Sequence, residues 1–107
     1  MTSLTYEILL ALADAERHGY GIIKEIEAQH GAGSAPSTGA LYLALQRMER
    51  EGLVVETEPA GDGEDPRRRY YGLTRRGREA AEEESARLAA LVSTARRKHL
   101  LEGRVRA

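Results

Sequence analysis

Arginine is concentrated in one short segment of the chain. Six arginines stand within residues 67–78, a stretch without any acidic residue: Arg67, Arg68, Arg69, Arg75, Arg76 and Arg78. The guanidinium group is planar, permanently charged and suited to the oxygens of phosphate. Because side chains alternate along a strand, these arginines cannot all point the same way. The segment is either a solvated face or a phosphate-binding surface, and we expect at least two of its arginines to contact phosphate.

A second group of residues lies on one side of a helix predicted between Ser37 and Gly52. Ser37 is a natural N-cap, and Gly52 stands where the chain must turn left-handed. Leu41, Leu45 and Met48 recur at helical spacing and must face the core. The opposite side, which is free to approach a ligand, holds Gly39, Ala40, Leu43, Gln46, Arg47 and Arg50.

Catalytic and metal chemistry find little support in the sequence. The chain has no cysteine, which excludes disulfides, thiolate zinc sites and cysteine nucleophiles. His18, His30 and His99 are scattered, with no pair at i, i+4. The Gly-Tyr-Gly segment at residues 19–21 lacks the third glycine and the lysine of phosphate loops. We therefore predict no enzyme activity, no metal site and no cofactor.

The length and charge of the chain limit the number of domains and the kinds of partner that it can have. The 107 residues suffice for one domain, and 41% hydrophobic with 31% charged residues is typical of a soluble folded chain. The longest apolar stretch, Ile8 to Ala13, cannot cross a membrane, and no signal peptide is evident, so we predict a cytoplasmic protein. Residues 1–66 carry a net charge of −8 and residues 67–107 one of +7. This asymmetry fits a polyanionic partner or, equally, two mutually attracting faces of one domain.

The hydrophobic periodicity and the turn-forming residues along the chain predict the order helix, helix, helix, hairpin, helix. The first two helices span Leu4 to Ala13 and Gly19 to His30. Strands at Leu53–Glu58 and Arg67–Leu73 flank a polar loop, and a final helix runs from Arg75 to Leu101. Three helices and a ribbon form the winged helix-turn-helix order, in which one helix enters a major groove about 12 Å wide.

Three segments in this order resemble the signatures of one protein family. They are HGYGI from His18, STGALY from Ser37, continued by Leu45, Arg47, Met48, Glu49, Gly52 and Leu53, and RRYYGLT from Arg68, followed by Gly77. Together they resemble the PadR family of transcriptional regulators over residues 4 to 101. The second segment is similar to that family's recognition helix, and the third to its second wing strand.

The resemblance implies a mainly helical winged helix-turn-helix fold with a small β-hairpin, in the order α-α-α-β-β-α. Residues 1–74 would form the DNA-binding domain, and residues 75–107 a dimerisation helix continuous with it. The implied function is that of a homodimeric repressor, which binds double-stranded DNA at a pseudo-palindromic operator. A small-molecule effector or a stress signal would relieve repression, although no residue identifies it.

DNA contacts are expected from the start of the second helix, the outer face of the third and the base of the wing. Gln46 and Arg47 have side chains suited to base edges, and Leu43 to a thymine methyl group. The ring of Tyr42 lies at the flank of the apolar stripe, which leaves its hydroxyl free to meet a phosphate. The predicted DNA-binding residues are Tyr20, Ser37, Thr38, Gly39, Tyr42, Leu43, Gln46, Arg47, Arg67, Arg68 and Arg69.

The last helix carries a narrow apolar seam flanked by charges, which suits a contact between two helices. The seam is either a dimer contact or packing onto the same domain. A helix of roughly 27 residues is about 40 Å long, which is more than a small domain can cover. We therefore favour dimerisation, through Leu4, Ile8, Leu88, Leu91, Val92, Ala95 and His99.

The alternative function is a winged helix that docks a partner protein instead of DNA. It is motivated by the slightly negative overall charge and the acidic N-terminal two-thirds. The environment of four arginines separates the two functions: Arg47, Arg50, Arg68 and Arg69. A common surface containing them favours DNA, whereas pairing to Glu49, Glu51 or Glu56 favours a protein partner.

Overall fold

The protein has the predicted winged-helix order. A computed structural model describes residues 1–58 and 68–102. The helices are α1 (Ser3–Ala11), α2 (Gly19–His30), α3 (Thr38–Arg50) and α4 (Arg75–Arg97), with a 3-10 turn at Ala32–Ser34. The strands are β1 (Arg17–His18), β2 (Val54–Thr57) and β3 (Tyr70–Leu73). Arg67 and the polar loop predicted before it lie outside the described residues.

Each helix begins at a side chain that accepts a backbone N–H from the first turn. Thr2, His18, Ser37 and Thr74 are the N-caps of α1, α2, α3 and α4, and Ser37 is the N-cap predicted above from the sequence. Gly52, with φ of 78°, makes the left-handed turn after α3 that the sequence predicts. Two helix ends differ from the prediction, because α1 stops at Ala11 rather than Ala13 and α4 at Arg97 rather than Leu101.

The core lies between α1, α2 and α3, and the inner face of the sheet closes it. Leu41, Leu45 and Met48 of α3 are fully buried, which confirms the predicted orientation of that helix. Ile8 of α1 has no exposed surface and belongs to the same cluster. Its prediction as a dimerisation residue is therefore wrong, since a side chain enclosed by its own protomer cannot contact a partner.

The sheet has three strands rather than the two of the predicted hairpin. The strand order is β1-β3-β2, with both pairs antiparallel. The added strand pairs Arg17 with Tyr71 and His18 with Tyr70, and it lies between the first two predicted helices. Two residues are too few to show an alternating hydrophobic pattern in the sequence. The strand is recognisable only in the structure, where it pairs with β3.

The long helix α4 is anchored to the rest of the protein mainly through its first half. Ala81 is buried there, and the hydroxyls of Ser85 and Tyr6 of α1 are 2.7 Å apart. Beyond Arg97 the chain leaves the helix, and His99 has a left-handed backbone with φ of 63°. His99 therefore does not continue the helical seam predicted for it, because the helix has already ended.

Candidate nucleic-acid interface

The outer face of α3 presents small, apolar, amide and cationic groups to the surroundings. Gly39, Leu43, Gln46 and Arg50 are all exposed and lie opposite the buried stripe of the helix. Leu43 is 69% exposed, although leucine gains by burial. The N-cap hydroxyl of Ser37 accepts the N–H of Ala40 at 3.1 Å, and the neighbouring Thr38 is exposed. This face, which we call the reading face, is suited to contacts with base edges and methyl groups.

Arg47 does not lie on the reading face, contrary to its predicted position. Its Nη2 donates to Oγ1 of Thr5 in α1 at 2.7 Å, and the residue is half-buried. The helical wheel explains the difference, because Arg47 stands on the flank of α3 next to α1, whereas Arg50 stands directly opposite the core. Arg50 is thus the arginine of the reading face, and its spacing of seven residues from Leu43 is the sequence signal that identifies it.

A cleft of about 390 Å³ adjoins the reading face at the start of α2. Its lining consists of His18, Gly19, Tyr20, Tyr42, Arg68 and Arg69. Tyr42 belongs to α3, so the cleft and the reading face share a border. A Cβ atom at Gly19 would collide with the Tyr42 hydroxyl, so any other residue there would force the Tyr42 side chain to move. Sequence reasoning places Tyr20, Tyr42, Arg68 and Arg69 at the interface, and the structure brings these four together.

Tyr20 stands at the centre of a group of cations beside this cleft. The Nζ of Lys24 lies 5.5 Å, and the Cζ of Arg68 lies 5.9 Å, from the centroid of the exposed Tyr20 ring. Nη1 of Arg68 is also 2.8 Å from Nε2 of His18. The pKa of Lys24 is raised because Glu27 and, less strongly, Tyr20 stabilise its ammonium group. Sequence reasoning missed Lys24. This residue follows Tyr20 by four positions, one helical turn, and therefore lies on the same side of α2.

Arg69 is shared between the cleft and the sheet. Its Nε lies 3.8 Å from Oε2 of Glu56, and the Tyr71 hydroxyl and then Glu56 raise the pKa of its guanidinium. Arg76 and Arg78 of the arginine-rich segment point elsewhere. Nη2 of Arg78 donates to the carbonyl of Ala13 at 2.7 Å, and Arg76 lines a cleft beside α1. As strand and helix geometry require, the arginine-rich segment does not form one surface.

A second exposed surface lies along α4 and is apolar. Leu91 is 53% and Val92 is 39% exposed, and Leu88 and Ala95 beside them are half-buried. Leu10 and Met1 of the N-terminal segment are also exposed, whereas the predicted dimerisation residue Leu4 packs partly against the core. We call Leu88, Leu91, Val92 and Ala95 the apolar seam. Exposed aliphatic side chains grouped on one helix face indicate a surface that another apolar surface covers.

The described residues contain neither a metal-binding cluster nor a membrane-spanning helix. Within 1–58 and 68–102, no three His, Cys, Asp or Glu side chains are grouped to hold a metal ion. Among the helices described above, none combines the length and hydropathy needed to span a bilayer.

Comparison with known proteins places these surfaces in a family context. The model of the transcriptional regulator PadR-like family matches residues 8–83. The transcriptional regulator Rv3488 of Mycobacterium tuberculosis is similar to this chain, with 39% identity over 77 residues, which cover 72% of this chain and 67% of the relative. An uncharacterised 37.1 kDa protein in transposon TN4556 of Streptomyces fradiae is 42% identical over 84 residues, or 78% of this chain. The match spans only 22% of that longer protein.

A solved structure shares the fold. The crystal structure of Bacillus subtilis PadR in complex with operator DNA superposes with a TM-score of 0.64 at 23% sequence identity. The match covers 77% of this chain and 46% of that one. At this level of identity the likeness concerns the fold.

Proposed function

The chain belongs to the PadR-like family of transcriptional regulators, and we propose that it binds double-stranded DNA as a homodimer, with the reading face of α3 in the major groove. The observation that supports this most directly is the shared border at Tyr42, which joins the reading face to a cleft lined by Arg68 and Arg69. A base-reading helix beside phosphate-binding cations is the arrangement that winged helices use on DNA.

Base recognition falls to three side chains of α3. The amide of Gln46 can make paired hydrogen bonds to adenine, and the guanidinium of Arg50 can do so to guanine. The methyl groups of Leu43 can contact a thymine methyl, and this contact would explain why the side chain is exposed in the free protein. Gly39 has no side chain, so the first turn of α3 can lie against the edge of the groove.

Phosphate contacts position the helix without reading sequence. Arg68, Lys24 and the Tyr20 hydroxyl surround the start of α2, while Ser37 and Thr38 stand at the start of α3. Helix N-termini add unpaired N–H groups and a favourable dipole. Arg69 supplies a weaker contact, because Glu56 already offsets part of its charge.

The proposed dimer buries the apolar seam of α4 against that of a second copy. Leu91 and Val92 are exposed in the protomer, and two protomers related by a two-fold axis would cover each other's seam. Two-fold symmetry carries over to the DNA, so the operator is a pseudo-palindrome.

Charge along α4 favours an antiparallel arrangement of the two helices. The stretch 82–84 is Glu-Glu-Glu and the stretch 96–98 is Arg-Arg-Lys, and the seam lies midway between them. An antiparallel pair centred on the seam places the acidic stretch of each helix near the basic stretch of the other. A parallel pair would instead set like charges side by side.

Charge-reversed variants test this arrangement. One carries Glu82→Lys, and the other carries Arg96→Glu. Each alone should dimerise poorly, and an equimolar mixture should form heterodimers in a sedimentation experiment. Two variants that each dimerise as the wild type does would contradict the antiparallel register.

Regulation completes the proposal. We propose a cytoplasmic repressor that an effector or a stress signal releases from its operator. Selection of genomic fragments with the purified protein, followed by footprinting, tests DNA binding and yields the operator. The proposal predicts two protected half-sites about one helical turn, 10–10.5 bp, or a multiple of it apart. If no fragment is enriched over the input DNA, the proposal fails.

One observation favours the alternative, a protein-docking winged helix. Arg69 pairs with Glu56, which is the pairing expected when the wing does not face phosphate. Arg47 does not repeat this pattern, since its described hydrogen bond goes to a threonine. The same fragment selection separates the two functions, because a protein-docking module enriches no DNA sequence.

A further inference from the structure

The hydrogen bond between α3 and α1 has a role that neither base reading nor phosphate binding explains. Nη2 of Arg47 reaches across the helix interface to Oγ1 of Thr5 at 2.7 Å. Thr5 is only 4% exposed and Arg47 is half-buried, so this bond is partly shielded from solvent. A charged donor on a buried hydroxyl is among the stronger and more directional interactions available.

The acceptor is itself held in place by the start of α1. Oγ1 of Thr2 donates to Oγ1 of Thr5 at 2.9 Å and accepts the Thr5 N–H at 3.1 Å as the N-cap of α1. The Thr5 hydroxyl therefore has a fixed position relative to the helix backbone. Arg47 thus attaches the flank of α3 to a defined point in the first turn of α1.

The other contacts between these helices do not fix rotation as sharply. Leu41, Leu45 and Met48 are buried in an apolar core, whose attraction depends on area and has no direction. Close packing of these side chains opposes large rotations of α3 but leaves room for the helix to roll slightly about its axis. The Arg47–Thr5 bond resists such rolling, because a hydrogen bond weakens steeply once its distance and angle depart from the preferred values.

Helix α1 in turn contacts α4, whose seam forms the proposed dimer interface. The hydroxyls of Tyr6 and Ser85 meet at 2.7 Å one residue beyond Thr5. A continuous series of contacts therefore runs from α4 through α1 to the reading helix. We propose that Arg47 is a positioning residue, which sets the angle of α3 relative to the dimer axis and thereby the half-site spacing that the protein accepts.

This inference rests on the proposed function and concerns its geometry. Half-site spacing is a sensitive readout, because each added base pair moves one half-site by about 3.4 Å and rotates it by roughly 35° about the DNA axis. A fixed α3 accepts one spacing, whereas a rolling α3 tolerates neighbouring spacings. The change in tolerance is what separates positioning from direct contact with DNA.

The test uses duplexes that carry the half-sites selected by the wild-type protein, with spacers altered by −2 to +2 bp. Arg47→Met keeps the aliphatic stem and removes the donors, and Thr5→Val keeps the shape and removes the acceptor. Both variants should reduce the preference for the native spacing by about tenfold, as expected when a hydrogen bond to a charged group is removed. The double variant should add little to either single one, because both remove the same bond.

Two controls separate positioning from other roles. Thr5→Ser keeps the hydroxyl and should retain the wild-type spacing preference. Arg50→Met removes a guanidinium from the reading face and should weaken binding at every spacing alike. Thermal unfolding of each variant, followed by circular dichroism, shows whether it remains folded at the assay temperature.

Three outcomes would overturn the inference. A lower salt dependence for Arg47→Met, with Thr5→Val unchanged, would mean that Arg47 touches phosphate directly. A lower melting temperature in both variants with an unchanged spacing preference would mean that the bond only stabilises the fold. If Thr5→Ser behaved as Thr5→Val does, the hydroxyl would not be the relevant group. Failure of the wild-type protein to select any DNA would be distinct from all three and would reject the proposed function itself.

Discussion

Helices α3 and α4 are both amphipathic, yet they use their apolar residues in opposite ways. In α3, Leu41, Leu45 and Met48 are fully buried within the protomer, and the exposed side carries one leucine, Leu43, among small and polar residues. In α4, Leu91 and Val92 remain 53% and 39% exposed. The first helix therefore exposes a single leucine within a largely hydrated face, whereas the second exposes a group of apolar side chains of the kind that marks an interaction surface.

The largest effect is expected where the exposed apolar seam is given charge. Leu91→Glu combined with Val92→Glu should weaken dimerisation by at least about a hundredfold, since each change buries a carboxylate at the interface. Both residues are exposed in the protomer, so its fold should persist. Sedimentation equilibrium measures the dimer constant, and circular dichroism measures the helix content.

A matched control lies on the opposite side of the same helix. Ala86→Glu combined with Ala90→Glu adds the same charge at exposed positions and should leave the dimer intact. Equal dimerisation by the two double variants would show that the seam is not the interface.

On α3 the largest single effect should come from Arg50. Arg50→Ala should cost on the order of 1–3 kcal/mol per half-site on the selected operator and much less on random DNA, because the variant can no longer hydrogen-bond to a base. Fluorescence anisotropy with both duplexes measures the difference. Equal weakening on both would assign Arg50 to phosphate instead.

Beside the cleft, Arg68→Ala should weaken specific and non-specific binding to a similar degree. The slope of log affinity against log salt should fall by roughly 0.9 for each phosphate that Arg68 no longer neutralises. Arg75→Ala is the control, since Arg75 is exposed but lines a different cleft. A wing arginine that altered base preference would be incompatible with this role.

The smallest effect is expected at Leu43. Leu43→Ala should cost about 1 kcal/mol per half-site, in line with the removal of a small apolar surface from the interface. This cost should vanish on an operator in which uracil replaces thymine at the contacted position, because uracil lacks the methyl group. Sensitivity to Leu43 that persists on the uracil duplex would place its contact elsewhere.

Much of the fold follows from local signals in the sequence. Ser37, Thr74 and Gly52 mark helix boundaries by chemistry that acts within a few residues, and the i, i+4, i+7 spacing orients α3 correctly. Local signals do not predict the two-residue strand β1, because it forms only by pairing with β3, which is far away in the sequence. The end of α4 escapes them as well, since Lys98 and His99 do not by themselves stop a helix.

The candidate site is predictable by element but not by every residue. The four cleft residues Tyr20, Tyr42, Arg68 and Arg69 follow from the family signatures, and the structure brings them together. Sequence reasoning misplaces Arg47 because a long side chain on a helix flank can turn to either side, and the buried Thr5 decides the direction. It misassigns Ile8 because an apolar helix pattern does not distinguish a core from an interface.

The most direct test exploits the absence of cysteine from the chain, which lets single thiols report on α3 and α4 separately. The measurement is the alkylation rate of Gln46→Cys and of Leu91→Cys, each with and without the selected operator. We expect the thiol at position 46 to react fast in the free protein and to be protected by DNA. At position 91 we expect slow reaction at dimer-forming concentrations, with or without DNA, and faster reaction on dilution. A thiol at position 46 that DNA does not protect, together with one at position 91 that reacts fast at every concentration, would contradict the proposed DNA-binding dimer.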